Sequence, residues 1–140
     1  MQKNFGVATV VGFLVLFFLG YALYGVALAG FFEANTGGAT NVPREPMAIW
    51  AVAVGQLLFA ALLTLALGWK GVAGTADGAK AGLLVGFLVA LSYDLTLWGT
   101  TNLMNAAGMI GDVVVFAAVS AVAGAAIGAM LNRGGQAAAA

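Results

Sequence analysis

Residues 81–101, AGLLVGFLVALSYDLTLWGTT, decide how this chain folds. The segment has the length of about 20 apolar residues that a helix needs to cross hydrocarbon. Asp94 stands well inside it. An intramembrane carboxylate costs about 2.5–3.5 kcal/mol on insertion scales, so it marks either a functional group or a buried hydrogen-bonding anchor.

Working outward, three more apolar runs of spanning length occupy residues 7–31, 47–68 and 109–131. The 140 residues are 63% hydrophobic and only 7% charged. Mean hydropathy is +1.05. A soluble domain does not carry this composition. The sequence therefore predicts an all-α, integral membrane antiparallel four-helix bundle, a single domain over residues 1–140. Five basic and five acidic residues cancel, which argues against nucleic acid or a polybasic lipid-binding surface as partner. Membrane lipids, and a second copy or a larger membrane complex, are the expected partners. The chain has no histidine and no cysteine, which removes the haem, zinc, iron–sulfur and disulfide chemistry those residues support and the commonest nucleophile–base pairs. No cofactor and no metal are expected.

Orientation follows from the basic residues. Lys3, Lys70, Lys80 and Arg133 fall on one side of a four-span arrangement and Arg44 on the other. The positive-inside rule then places both termini in the cytoplasm. Lys3, the run from Val7 and the triplet Ala27-Leu28-Ala29 imitate a signal peptide, but the run is too long for an h-region and is read as a retained span.

The connections differ in kind. Residues 32–46 carry Glu33, Asn35, Thr36, Gly37 and Gly38, then Pro43, Arg44, Glu45 and Pro46. The second connection brings Asp77 to the start of the third span, where an acid favours the helix dipole. The third, residues 102–108, is uncharged and short, so spans three and four must be antiparallel neighbours. Ala137–Ala140 reads as a frayed tail. Gly12-Phe13-Leu14-Val15 with Leu23-Tyr24-Gly25 aligns without gaps to Gly86-Phe87-Leu88-Val89 with Leu97-Trp98-Gly99, the pattern of a duplicated hairpin. Ser120, Gly124 and Gly128 recur every four residues and form one small-residue stripe. Gly124 and Gly128 are thus the expected helix-packing face, within the chain or between copies. Trp50, Trp69, Trp98 and Tyr24 lie toward span ends as interfacial anchors.

The polar residues concentrate at one depth. Counted at about 1.5 Å per residue from the cytoplasmic ends, Tyr21, Gln56, Asp94 and Ser120 all reach roughly 17–21 Å. With Tyr93 and Thr96 adjoining Asp94, they form a candidate intramembrane polar site. It is either a proton or cation relay, or interhelical glue worth about 0.6 kcal/mol per hydrogen bond. A second set, Glu33, Asn102, Asn105 and Asp112, is expected at the outer surface, as a solvated rim of helix caps. The counted depths hold Asp94 and Asp112 apart by much of the outer leaflet, which speaks against a catalytic carboxylate pair. No catalytic residue is assigned.

Leu19-Gly20-Tyr21-Ala22-Leu23-Tyr24-Gly25, the loop Phe31-Phe32-Glu33-Ala34-Asn35-Thr36-Gly37, the turn Arg44-Glu45-Pro46, Tyr93-Asp94-Leu95 and Thr100-Thr101-Asn102-Leu103-Met104-Asn105 resemble a group of small bacterial four-span inner-membrane proteins classed as a domain of unknown function. The resemblance covers nearly the whole chain. It implies four spans in a bacterial inner membrane and brings no activity or catalytic residue. The expected function is a non-enzymatic membrane module, self-associating or an accessory subunit of a larger complex. The alternative is a small transporter or channel for protons, cations or a small amphiphile, centred on Asp94.

Overall fold

Uninterrupted runs of Leu, Ala, Val and Phe leave the backbone one way to satisfy its polar groups away from water, which is to bond within the segment as a helix. The computed structural model describes residues 4–136, with side chains through Asn132. Lys3, Ala137–Ala140 and the side chain of Arg133, on which the orientation and tail expectations drew, lie outside the described residues. Helix α1 (Phe5–Gly20) continues as a π-helical segment, Tyr21–Ala27, and after Leu28 the short α2 (Ala29–Ala34) follows. The chain then forms α3 (Ile49–Lys70), α4 (Thr75–Thr100) and α5 (Ala106–Gln136). Four helical stretches, Phe5–Ala27, Ile49–Lys70, Thr75–Thr100 and Ala106–Asn132, are long and apolar enough to cross a membrane. The fold is an all-α helical bundle. Its α4 begins earlier than the expected residue 81, and α5 begins before the expected residue 109.

The hub is α5, which packs on α4 along one side and on α1 along another, with α3 flanking α1 and touching α5 more lightly. Ala8, Leu16, Ala60, Leu63, Leu67, Ala123 and Ile127 form the main core. A smaller cluster, Ala90, Met109 and Val113, lies near the opposite end of α4 and α5.

The α4–α5 contact is backbone against backbone. Gly74, which caps α4, and Gly78, Gly82 and Gly86 within it repeat every four residues and meet Ser120, Gly124 and Gly128 of α5. A Cβ on Gly78 would strike the Gly124 carbonyl oxygen, one on Gly82 the Ser120 carbonyl oxygen, and one on Gly128 the Gly74 carbonyl oxygen. Close approach of this kind is how small residues let helices associate where the hydrophobic effect gives no help. The Gly124–Gly128 face is consumed within the chain. Of the two expected uses of this stripe, within the chain or between copies, the structure shows the first, and a second copy would have to use another surface.

The ends are tied differently. Between α3 and α4, Gly71 takes the left-handed conformation (φ 70°) and Gly74 an extended positive φ of 141°, which glycine adopts without a Cβ penalty. Asp77 closes this turn, accepting the Ala73 N–H at 3.3 Å and pairing with Lys70 at 2.9 Å. At the far end, hereafter the long-loop end, residues after α2 lie antiparallel to the α4–α5 connection. Gly37 N–H donates to the Leu103 carbonyl at 3.0 Å and Ala39 N–H to that of Asn102 at 3.1 Å. Trp50, Trp69 and Trp98 are exposed, in keeping with anchoring positions. Of the two aligned segments, Gly12 and Gly86 are both buried against α5, at Ile127 and Ser120 respectively. The aligned Tyr24 and Trp98 differ, Tyr24 being half-buried and Trp98 exposed.

Candidate functional site

The four-residue period that places glycines on the α4 seam continues past Gly86 to Ala90 and then Asp94. Residues four apart share a helix face, so Asp94 also points at α5. On α5 the same period runs from Gly124 through Ser120 and Phe116 to Asp112. Because the helices are antiparallel, the two stripes bring Asp94 opposite Asp112. Asp94 is 2% exposed, and its carboxyl lies within hydrogen-bonding reach of the Asp112 carboxyl. The expectation that depth separates these two acids is overturned. It counted from span ends that sit elsewhere in the structure, whereas the glycine contacts fix the register directly.

A third group completes the cluster. The Tyr24 hydroxyl, from the π-helical segment, donates to the Asp112 backbone carbonyl at 3.3 Å and stands beside the Asp112 carboxyl. Its ring stacks on Phe32 with centroids 5.0 Å apart. Tyr24 was expected at the interface as an anchor. The π-helical segment widens the turn, as such segments commonly do near functional sites, and the ring lies inward, half-buried.

The chemistry of the cluster follows from its inventory of donors. Ionised carboxylates only accept hydrogen bonds, so two carboxyl groups can bond to one another only through a proton that one of them holds. No donor group reaches Asp94 Oδ2, so a proton held by the carboxyl pair is what can satisfy it. Buried polar atoms are nearly always satisfied. Among the described residues, α3 brings no titratable group to the pair, and Glu33 of α2 is exposed.

The other expected site residues disperse. Ser120 is fully buried but packs against Gly86, two helical turns or about 12 Å along α4 from Asp94. Tyr21 is 64% exposed and is not part of the carboxyl cluster. Tyr93 is exposed too, and the Thr96 hydroxyl donates back to the Ser92 carbonyl at 2.8 Å on the same outward side. Both line a shallow surface depression with Leu88, Val89 and Ser92. The expected layer of four polar residues at one depth is therefore not formed. Gln56 is half-buried and lines a crevice of about 360 Å³ between the π-helical segment, the start of α3 and α5. Tyr24 forms part of the same wall, as do Leu16, Phe17, Tyr21, Val52 and Phe116.

The expected outer set also regroups. Asp112 leaves it for Asp94. Asn105 pairs with Asn35, Nδ2 to Oδ1 at 3.1 Å, accepts the Gly108 N–H at 2.9 Å as the cap of α5, and donates its own N–H to the Asn35 carbonyl. Asn102 contributes its backbone carbonyl. Glu33 is exposed, its carbonyl accepting from Thr36 at 3.2 Å. Among the described residues no group of three metal-ligating side chains comes together.

Sequence reasoning missed Asp112 and Tyr24 as partners of Asp94. The signal that reaches Asp112 is the glycine period on α4, whose extension ends on Asp94. No protein-family model matches this chain, and no curated protein and no solved structure match it either.

Proposed function

We propose that this chain is a small proton-linked carrier, a non-enzymatic multi-pass protein in which the Asp94–Asp112 pair takes up and gives off a proton within the bundle. The observation that carries the reading is the buried Asp94 carboxyl within hydrogen-bonding reach of a second carboxyl, a contact that only a shared proton can close. A pair that can pass between one and two protons has an alternative state built in, as acids inside membranes that serve relays do. The glycine seam supplies a rigid support for both carboxyls. Tyr24 supplies a hydroxyl through which the α1 side of the molecule senses them.

The bacterial inner membrane, with both termini cytoplasmic, fits this reading. Lys70 and Lys80 belong to the end bearing the termini and Arg44 to the long-loop end, so the long loop faces outward. A cysteine at Thr40 should react with an impermeant thiol reagent applied from outside, and one at Thr75 should not. The native chain has no cysteine to confuse the result. The reverse labelling would sink the orientation.

The functional test is proton movement in liposomes, with infrared spectra of the same samples. Native protein should dissipate an imposed pH gradient and show the carbonyl band of a protonated carboxylic acid. Asp94→Asn and Asp112→Asn should each remove both signals while thermal unfolding stays unchanged. A native protein without flux, or Asn variants with native flux, would refute the proposal.

A further inference from the structure

The crevice beside the carboxyl pair has the size and character of a ligand pocket. Its volume of about 360 Å³ falls within the usual 300–1,000 Å³ range, and such pockets combine apolar walls with few polar groups. Its walls present the aromatic side chains of Phe17, Tyr21, Tyr24 and Phe116, and Gln56 provides a neutral polar group. No basic side chain lines it, so an anion would find no counter-charge. Two acids stand immediately behind Tyr24, whose hydroxyl rests on Asp112. Aromatic faces attract cations, more strongly when desolvated. Both the lining and the neighbouring charge therefore select one class of occupant.

We infer that this crevice binds a lipophilic monovalent cation, an amine or quaternary ammonium with an alkyl or aryl body, and that Tyr24 is the contact through which that cation acts on the Asp94–Asp112 pair. This rests on the proton-carrying reading of the pair for its coupling, though not for the binding itself. Met47 and Ile49, near the start of α3, extend the lining toward the long-loop end. A lipid tail entering the same crevice would use its apolar walls and be indifferent to charge.

The test uses the full chain in nanodiscs of zwitterionic lipid, with benzyltrimethylammonium and its uncharged carbon analogue, neopentylbenzene, as probes. Ligand-detected NMR should show the cation binding about tenfold tighter than the analogue, the scale of a partly desolvated cation–aromatic contact. Val52→Trp, which fills the crevice from α3, should weaken cation binding about tenfold or more at unchanged thermal unfolding. A pH dye in weak buffer should report proton release on cation binding to the native chain and none in Asp94→Asn. Equal affinity for the two probes, or binding indifferent to Val52→Trp, would overturn the inference even where proton flux is intact. Cation selectivity with no proton release would uphold the binding site and overturn the coupling, while the carrier reading is decided separately by the flux measurement.

Discussion

The two packed sides of α5 are built in opposite ways. Toward α4, glycines bring backbone against backbone, and nothing can yield without moving a whole helix. Toward α1 and α3, contact is made by side chains such as Leu16, Phe59 and Ile127, and a crevice remains between them. The contrast teaches where this small bundle keeps its rigidity. The carboxyl pair grows from the stiff side, whereas the group that touches it from across, Tyr24, belongs to the yielding side.

The comparison breaks most visibly at the seam. Gly82→Leu would drive a side chain into the Ser120 carbonyl and the Gly124 backbone, so the loss should reach about 3 kcal/mol or more, at the upper end for overpacking. Thermal unfolding followed by circular dichroism in detergent reads it. A native-like transition would mean that the seam is not rigid.

Asp94→Leu comes next. It removes the partner of the Asp112 carboxyl and should cost about 1–3 kcal/mol, the range for a buried polar group left unpaired. Asp94→Asn keeps a hydrogen-bonding pair with Asp112 and should unfold with the native protein. If the two variants unfold alike, the pair has no energetic link between its members.

On the side-chain face the effect should shrink. A Cβ on Gly12 meets side-chain atoms, Ile127 Cδ1 at 2.6 Å and Cγ1 at 2.8 Å, and no backbone. Gly12→Ala should therefore lose less stability than Gly82→Ala in the same unfolding measurement. An equal loss would erase the distinction between the two sides. The smallest effect has the opposite sign. Gly55 has nothing within 4 Å of its would-be Cβ, so Gly55→Ala should gain up to about 1 kcal/mol from helix propensity alone. A loss there would show an undetected partner on the exposed face of α3.

The helices were legible because a membrane-spanning run needs only length and apolarity, and residues 47–68 match α3 within two residues at either end. The burial of Asp94 was legible for the same reason. Its surroundings were not, since depth counted from guessed ends accumulates the error of each end. Ser120 and Asp112 exchanged roles on that account. Helix faces carry the missing information. Gly74, Gly78, Gly82 and Gly86 state the α4 face as plainly as Gly124 and Gly128 state that of α5, and joining the two stripes gives the register. The inward turn of Tyr24 had no comparable signal, because an α-to-π change leaves no mark in an apolar run.

The position of α5 at the hub has a consequence for biosynthesis. It leaves the ribosome after the other three spans, yet the core and the glycine seam both depend on it. During synthesis α1 and α3 can pair as a hairpin, but α4 must wait in lipid with its glycine face open and Asp94 unpartnered. A chain halted before Ala106 would therefore present a membrane quality-control system with a carboxylate in hydrocarbon, and arrival of the last span is the event that conceals it.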